Sequence, residues 1–229
     1  MDPFLRWNLP RDAALARWDV AGAVGVLAVG RRDALTLTVL GAPPDAATLV
    51  ATALAERADV ERLTLPRGTL PLLTDQVARR IGDGADWDWW WTADSPAPQP
   101  GEDVVETVRD DEAIRALLVV ASPRPDVAPG VPGLRVWLGV RAEGRLVACG
   151  ALTERASGAG HLASIATSPA WRGRGLGGAV TAALTRRSLA SGDAVCTLGM
   201  YADNGPARRM YLRLGYRRAH EFSSRALLP

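Results

Sequence analysis

Apolar residues recur along this chain with two periods, and each period predicts a different kind of element. Apolar or alternating runs at 21–29, 34–41, 61–65 and 86–92 read as strands. Residues 45–58, which follow Pro43 and Pro44, and residues 70–81 read as helices. Residues 93–103 (ADSPAPQPGED) are rich in proline and charge and have no period, so they read as a linker between modules at 1–94 and 95–229. Beyond it the pattern predicts a strand at 104–108 and a helix at 111–120. A hairpin at 134–141 and 145–152 follows, turning on Ala142, Glu143 and Gly144. Then come strands at 161–167, 193–202 and 217–223, with Leu176, Val180, Ala183 and Leu184 striping a helix at 176–189. This order predicts an α/β class: a mixed, mostly antiparallel sheet with helices on both faces.

Two segments carry chemistry. The first is Arg172, Gly173, Arg174, Gly175, Leu176, Gly177 and Gly178, at the junction between a strand and a helix. A helix start leaves backbone N–H groups without intrahelical partners and carries partial positive charge, so a glycine-rich entry can wrap a pyrophosphate in donors. Arg172 and Arg174 add charge there. The same letters fit Gly-x-Gly-x-x-Gly, the dinucleotide fingerprint, which alone is weak. That fingerprint follows its strand directly and opens a series of βαβ units. Here residues 168–172 intervene and the chain ends too soon for a doubly wound domain. In the second segment Asn204 or Gly205 caps a short helix, Pro206 enters it and Gly215 stops it. Ala207 and Tyr211 are one turn apart on one face of that helix.

Arg-x-x-Gly-x-Gly followed by Asn-x-x-Ala-x-x-x-Tyr-x-x-x-Gly-Tyr resembles the GNAT superfamily of acyl-CoA-dependent N-acetyltransferases, over roughly residues 102–229. Residues 198–204 (LGMYADN) and the late Glu221, Phe222 and Ser223 look closest to its glycine N-acyltransferase-like branch. The first module looks like a degenerate GNAT half without a glycine loop. The resemblance implies acetyl-CoA or another acyl-CoA as cofactor and a primary amine or amino-acid-like small molecule as acceptor, with direct attack of the amine on the thioester. It also implies that pantetheine lies along Ile165, Ala166 and Thr167, that the pyrophosphate rests on the amides from Gly173 to Gly178, and that Asn204 and Ala207 border the cofactor. A strand N–H near Ile165 would hold the oxyanion, and no metal is needed. An acyl-CoA-binding or sensing protein without turnover is the alternative.

Tyr211 reads as the acid that protonates the departing sulfur, or as a packed aromatic. A thiol of pKa about 8.5 facing a phenol near 10 makes that transfer useful if the local field lowers the phenol. His161 reads as the base that frees the amine, directly or through water, or as a turn histidine after residues 156–160; one step of misregister would put it on the other face. Glu154 reads as an acceptor-side acid or a solvated carboxylate. Trp87, Trp89 and Trp91 alternate, so they read as a strand burying one aromatic face, or as a substrate wall.

Composition narrows the classes further. The chain has 229 residues with 48% hydrophobic, enough for a core, and its net charge of +2 favours no polyanion, hence no nucleic acid. All 27 basic residues are arginine, which codon bias explains for most of them. Cys149 and Cys196 lie in separate apolar runs without a partner motif, so they read as buried free thiols of a reducing, cytoplasmic compartment. No apolar stretch reaches ~18 residues, so no membrane span is expected. A homodimer is left open.

Overall fold

The computed structural model describes residues 1–9, 14–20, 22–30, 33–122, 125–155 and 157–229; Ala21 of the first strand expected and Ala156 before His161 lie outside the described residues. From the amino end run α1 (Pro3–Trp7), β1 (Ala14–Val20), β2 (Ala23–Val29), β3 (Leu35–Leu40), α2 (Pro43–Glu56), β4 (Arg62–Pro66), α3 (Asp75–Ala78) and β5 (Ile81–Thr92). The chain continues with β6 (Glu106–Val108), α4 (Asp111–Ala121), β7 (Leu134–Ala142), β8 (Arg145–Glu154), β9 (Gly160–Thr167), α5 (Leu176–Ala190), β10 (Cys196–Tyr201), α6 (Gly205–Arg213) and β11 (Arg217–Leu227). Contacts group them into two compact units: Met1–Trp89 with Met200–Asn204 and Arg218–Pro229, and Trp90–Gly199 with Gly205–Arg217.

In the first unit the strands lie in the order β1-β2-β3-β4-β11-β5. Neighbours are antiparallel at β1/β2, β2/β3 and β4/β11 and parallel at β3/β4, the pair that α2 connects. Leu49, Val50 and Ala53 of α2 pack with Leu27, Leu37, Leu63 and Leu65 in one buried cluster. The start of α2 is a poor place for an anion. Pro43 and Pro44 remove two of the N–H groups a helix start would offer, and Asp45 adds a negative charge to the first turn.

In the second unit the order is β10-β9-β8-β7-β6, antiparallel except for β10/β9, which α5 connects. Helices cover both faces of this sheet. Cys149, Ala151 and Ala166 point to the α4 side with Ile114, Leu117 and Leu118, while an added side chain at Gly150 would meet Val180 and Leu184 of α5. Each fully buried Val or Leu contributes roughly 1.5–3 kcal/mol relative to exposure, so these faces fix the helices against the sheet. The β7/β8 hairpin closes with Ala142 opposite Arg145, which leaves Glu143 (φ 52°) and Gly144 (φ 72°) as its turn. Positive φ at both central residues matches the right-handed twist of the flanking strands.

The mixed, mostly antiparallel α/β class expected from the sequence holds, with corrections inside it. Residues 70–81 do not make one helix: a 3-10 turn at Leu70–Leu72 ends at Leu73, whose backbone is extended (φ −67°, ψ 148°), α3 has 4 residues, and Ile81 already belongs to β5. The tryptophan run buries both strand faces, with Trp89 at 0% and Trp90 at 2% exposure, so alternation does not describe it. Phe4 of the unpredicted α1 supplies the reason on one face, its ring lying 5.3 Å from Trp89 and 4.9 Å from Phe222.

Candidate active site

The site in the second unit begins with a parting of strands. The parallel pairing of β9 with β10 runs from Gly160/Cys196 to Leu162/Leu198 and stops there, although β9 continues to Thr167. On its other edge β9 carries one residue more than β8: Cys149 pairs with Ala166 and Ala151 with Ala163, so Ser164 and Ile165 both face Gly150. Two residues opposing one is a β-bulge, which bends the strand and leaves backbone groups out of the ladder. Ser164 holds it with φ 51°, rare for a residue with a side chain, and its hydroxyl donates to the Val127 carbonyl at 2.7 Å and accepts from the Val127 N–H at 2.9 Å. That clamp ties the bulge to the α4–β7 connection. Sequence reasoning missed Ser164; a hydroxyl inside an apolar strand was its one visible signal.

Beyond Thr167 the chain makes a 3-10 turn at Pro169–Trp171 and enters α5 through the glycines. Gly173 (φ 78°) and Gly175 (φ 81°) are both left-handed, and a side chain at either would have nothing within 4 Å. The glycines are therefore needed for backbone conformation, and the space beside them is open. Gly175 is the helix N-cap and no side chain caps α5, so its first amides have no intrahelical or side-chain partner. Arg172 donates to the carbonyls of Thr167 (3.2 Å) and Ala121 (3.3 Å), and Arg174 lies over the Trp171 ring at 4.4 Å. Both guanidiniums thus brace the turn as well as charging it. Gly177 lies against Thr167 and Met210, and Gly178 against Met210, so the end of β9, the start of α5 and α6 meet at one place.

Tyr211 follows Met210 on α6, with Ala207 one turn earlier and Asn204 just ahead of the helix. Its ring is buried, 5.8 Å from that of Tyr216. The Tyr216 hydroxyl bonds to Thr185 and Cys196. The Tyr211 hydroxyl has no hydrogen-bond partner among the described residues. Burial alone pushes its pKa well above the ordinary phenol value, opposite to the lowering that would have sharpened it as an acid. The hydroxyl therefore stays protonated through the neutral range.

His161 is 4% exposed and points to the α4 side of the sheet, in register with Thr153 of β8 and Thr197 of β10. Its Nδ1 lies 2.9 Å from the Thr197 hydroxyl, and its Nε2 lies 3.9 Å from the carboxylate of Asp126 in the α4–β7 connection. His161 is thus no exposed turn histidine. It stands three residues before the bulge, about 10 Å along the strand, so it reaches chemistry at the bulge only through intervening water. Glu154 is 61% exposed and pairs with Arg135 at 3.8 Å. Cys149 and Cys196 are buried free thiols, and burial raises them to about 12 and about 11. Among the described residues no cluster of side chains could hold a metal ion, and no helix is long and apolar enough to cross a membrane.

Known proteins share parts of this sequence and this fold. Residues 137–224 match the model of the FR47-like protein family. A mycothiol acetyltransferase of Nocardia farcinica is 34% identical over 119 residues, covering 48% of this chain and 38% of that protein, so the match spans well under half of its length. A GCN5-related N-acetyltransferase from Kribbella flavida superposes with a TM-score of 0.57 at 19% identity, covering 93% of this chain and 89% of the other. Another from Sphaerobacter thermophilus gives 0.58 at 17% identity, covering 91% and 78%. The chain has the fold of the GNAT acetyltransferases, and the FR47-like match lies within residues 137–224.

Proposed function

We propose that the protein is an N-acyltransferase that moves an acetyl or short acyl group from acyl-CoA to a primary amine or amino-acid-like acceptor by direct attack. One observation carries this reading: the open, left-handed glycine turn at the uncapped start of α5, set where β9 leaves its parallel partner. The amides of residues 173–178 would hold the pyrophosphate, with Asn204 and Ala207 bordering the cofactor. The free edge of Ile165, Ala166 and Thr167 would take the pantetheine as an added strand. The amine nitrogen attacks the thioester carbon, an N–H at the bulge holds the oxyanion, and the carbon–sulfur bond breaks as Tyr211 gives its proton to sulfur. Because burial keeps the phenol protonated, Tyr211 gives up its proton only as the carbon–sulfur bond breaks and negative charge develops on sulfur. The ammonium proton leaves through water to His161.

The module at 1–94, a degenerate GNAT-like half, would bind no cofactor, since Pro43, Pro44 and Asp45 occupy the start of α2. Residues 198–204 favour the glycine N-acyltransferase-like branch, and the buried thiols suit a cytoplasmic location. The test is a mass-spectrometric screen of amines, amino acids and mycothiol-related compounds with acetyl-CoA. An acceptor that gains an acetyl group supports the reading. CoA binding without transfer to any of them, under conditions where acetyl-CoA stays intact, would leave a binding module.

A further inference from the structure

We infer that Thr197 is the positioning residue that decides which nitrogen of His161 takes the proton, and that this nitrogen is Nε2. The inference rests on the reading of His161 as the base. The Thr197 hydroxyl has a single proton, and it lies 3.1 Å from the Gly160 carbonyl, which can only accept. With that proton committed, its 2.9 Å contact with His161 Nδ1 is a hydrogen bond only if Nδ1 carries a proton and donates. The neutral ring is then the Nδ1–H tautomer, with its lone pair on Nε2.

The surroundings hold this arrangement. Thr197 is 0% exposed, and the parallel ladder fixes the spacing through the pairs Cys196/Gly160 and Thr197/His161. Both side chains are buried, so the opposite tautomer would leave their polar atoms mismatched, a preference of roughly tenfold or more. On the β8 side Thr153 donates to the His161 carbonyl and leaves the ring alone. Nε2 faces the α4–β7 connection, where the Asp126 carboxylate at 3.9 Å favours a cation on that nitrogen. The flanking acids Glu154 and Asp193 are both paired with Arg135. The lone pair is therefore directed toward the connection that Ser164 clamps to the bulge.

The test uses nitrogen-15 NMR of the imidazoles, tractable because the chain has 2 histidines and His220→Gln assigns the other. At about pH 8.5, above the ordinary imidazole range, His161 is expected to show the Nδ1–H pattern. An Nε2–H pattern overturns the inference, and this measurement needs no variant at site 197. Thr197→Val should move the signal toward Nε2–H and lower kcat about tenfold with KM for acetyl-CoA unchanged, and Thr197→Ser should restore both. A Thr197→Val protein with parent tautomer and parent pH–rate profile also overturns it. Failure of the base reading looks different: His161→Gln would keep the acidic limb of the profile while the parent still shows Nδ1–H. Failure of the acyltransferase reading would show as no transfer by the parent.

Discussion

Gly175→Glu separates the phosphate site from the fold that carries it. Nothing lies within 4 Å of where its side chain would begin, so the cost to folding is the left-handed backbone at φ 81°. That strain is about 1–2 kcal/mol, and a carboxylate at a helix start returns about 0.3–1 kcal/mol. The net, about 1 kcal/mol, lowers the Tm of a chain this long by about 2–4 °C. Binding works on a larger scale. CoA at one hundred times its Kd stabilises the parent by about 2.7 kcal/mol, or about 5–11 °C. In the variant a side chain and a negative charge occupy the place of the pyrophosphate, so this shift should vanish. Gly192→Glu is the matched control, since it too is left-handed (φ 97°) with open space, but it follows the far end of α5. It should lose slightly more stability, because its charge opposes the helix end, and keep the whole CoA shift. Thermal melts of the three proteins with and without CoA decide the matter. Equal protection of parent and Gly175→Glu would refute the placement of the phosphate.

Tyr211→Phe removes a hydroxyl that has no partner among the described residues, so melting should show no loss of stability, while kcat falls about 100-fold at unchanged CoA affinity. Tyr216→Phe should do the reverse, costing about 1 kcal/mol through its lost bonds to Thr185 and Cys196 and sparing kcat. Thiols raised to about 12 and about 11 are almost wholly protonated at pH 8, so thiol reagents should label Cys149 and Cys196 only after unfolding. The first unit should weaken in acid. Burial raises Asp2 and Asp86, but their bonds to His220 and Arg225 outweigh it and hold both folded pKa values below the unfolded value. Their stabilisation is present above about pH 4 and is lost as pH falls further, so Asp86→Asn should flatten the tryptophan-monitored acid transition below that pH.

What the sequence made legible was whatever its letters fix locally. The glycine turn could be read because glycine at 173 and 175 states a backbone conformation, and α5 was expected at 176–189 and runs Leu176–Ala190. The turn at Glu143 and Gly144 was legible on the same ground. Features that arise from counting one strand against another could not be read. The bulge at Ser164 exists because β9 has one residue more than β8, and Thr197 meets His161 through a parallel register set by α5. β1 hid behind mixed exposure, with Trp18 its one buried residue. Trp90 broke the expected alternation because the strand that holds it is buried on both sides at that point.

Gly150 stands opposite the bulge with Ile165 Cδ1 only 2.3 Å from where a side chain would begin, and Leu184 and Val180 at 2.9 and 3.2 Å. A methyl group at 150 therefore meets only the far ends of side chains: Ile165 must swing to another rotamer, and Leu184 and Val180 must give by a few tenths of an ångström. Because β9 places one residue more than β8 at this point, the part that yields when position 150 grows is a side chain of the bulge and not the backbone of the sheet. A shorter residue at 165 should make room for alanine at 150, so the two positions trade volume across the ladder.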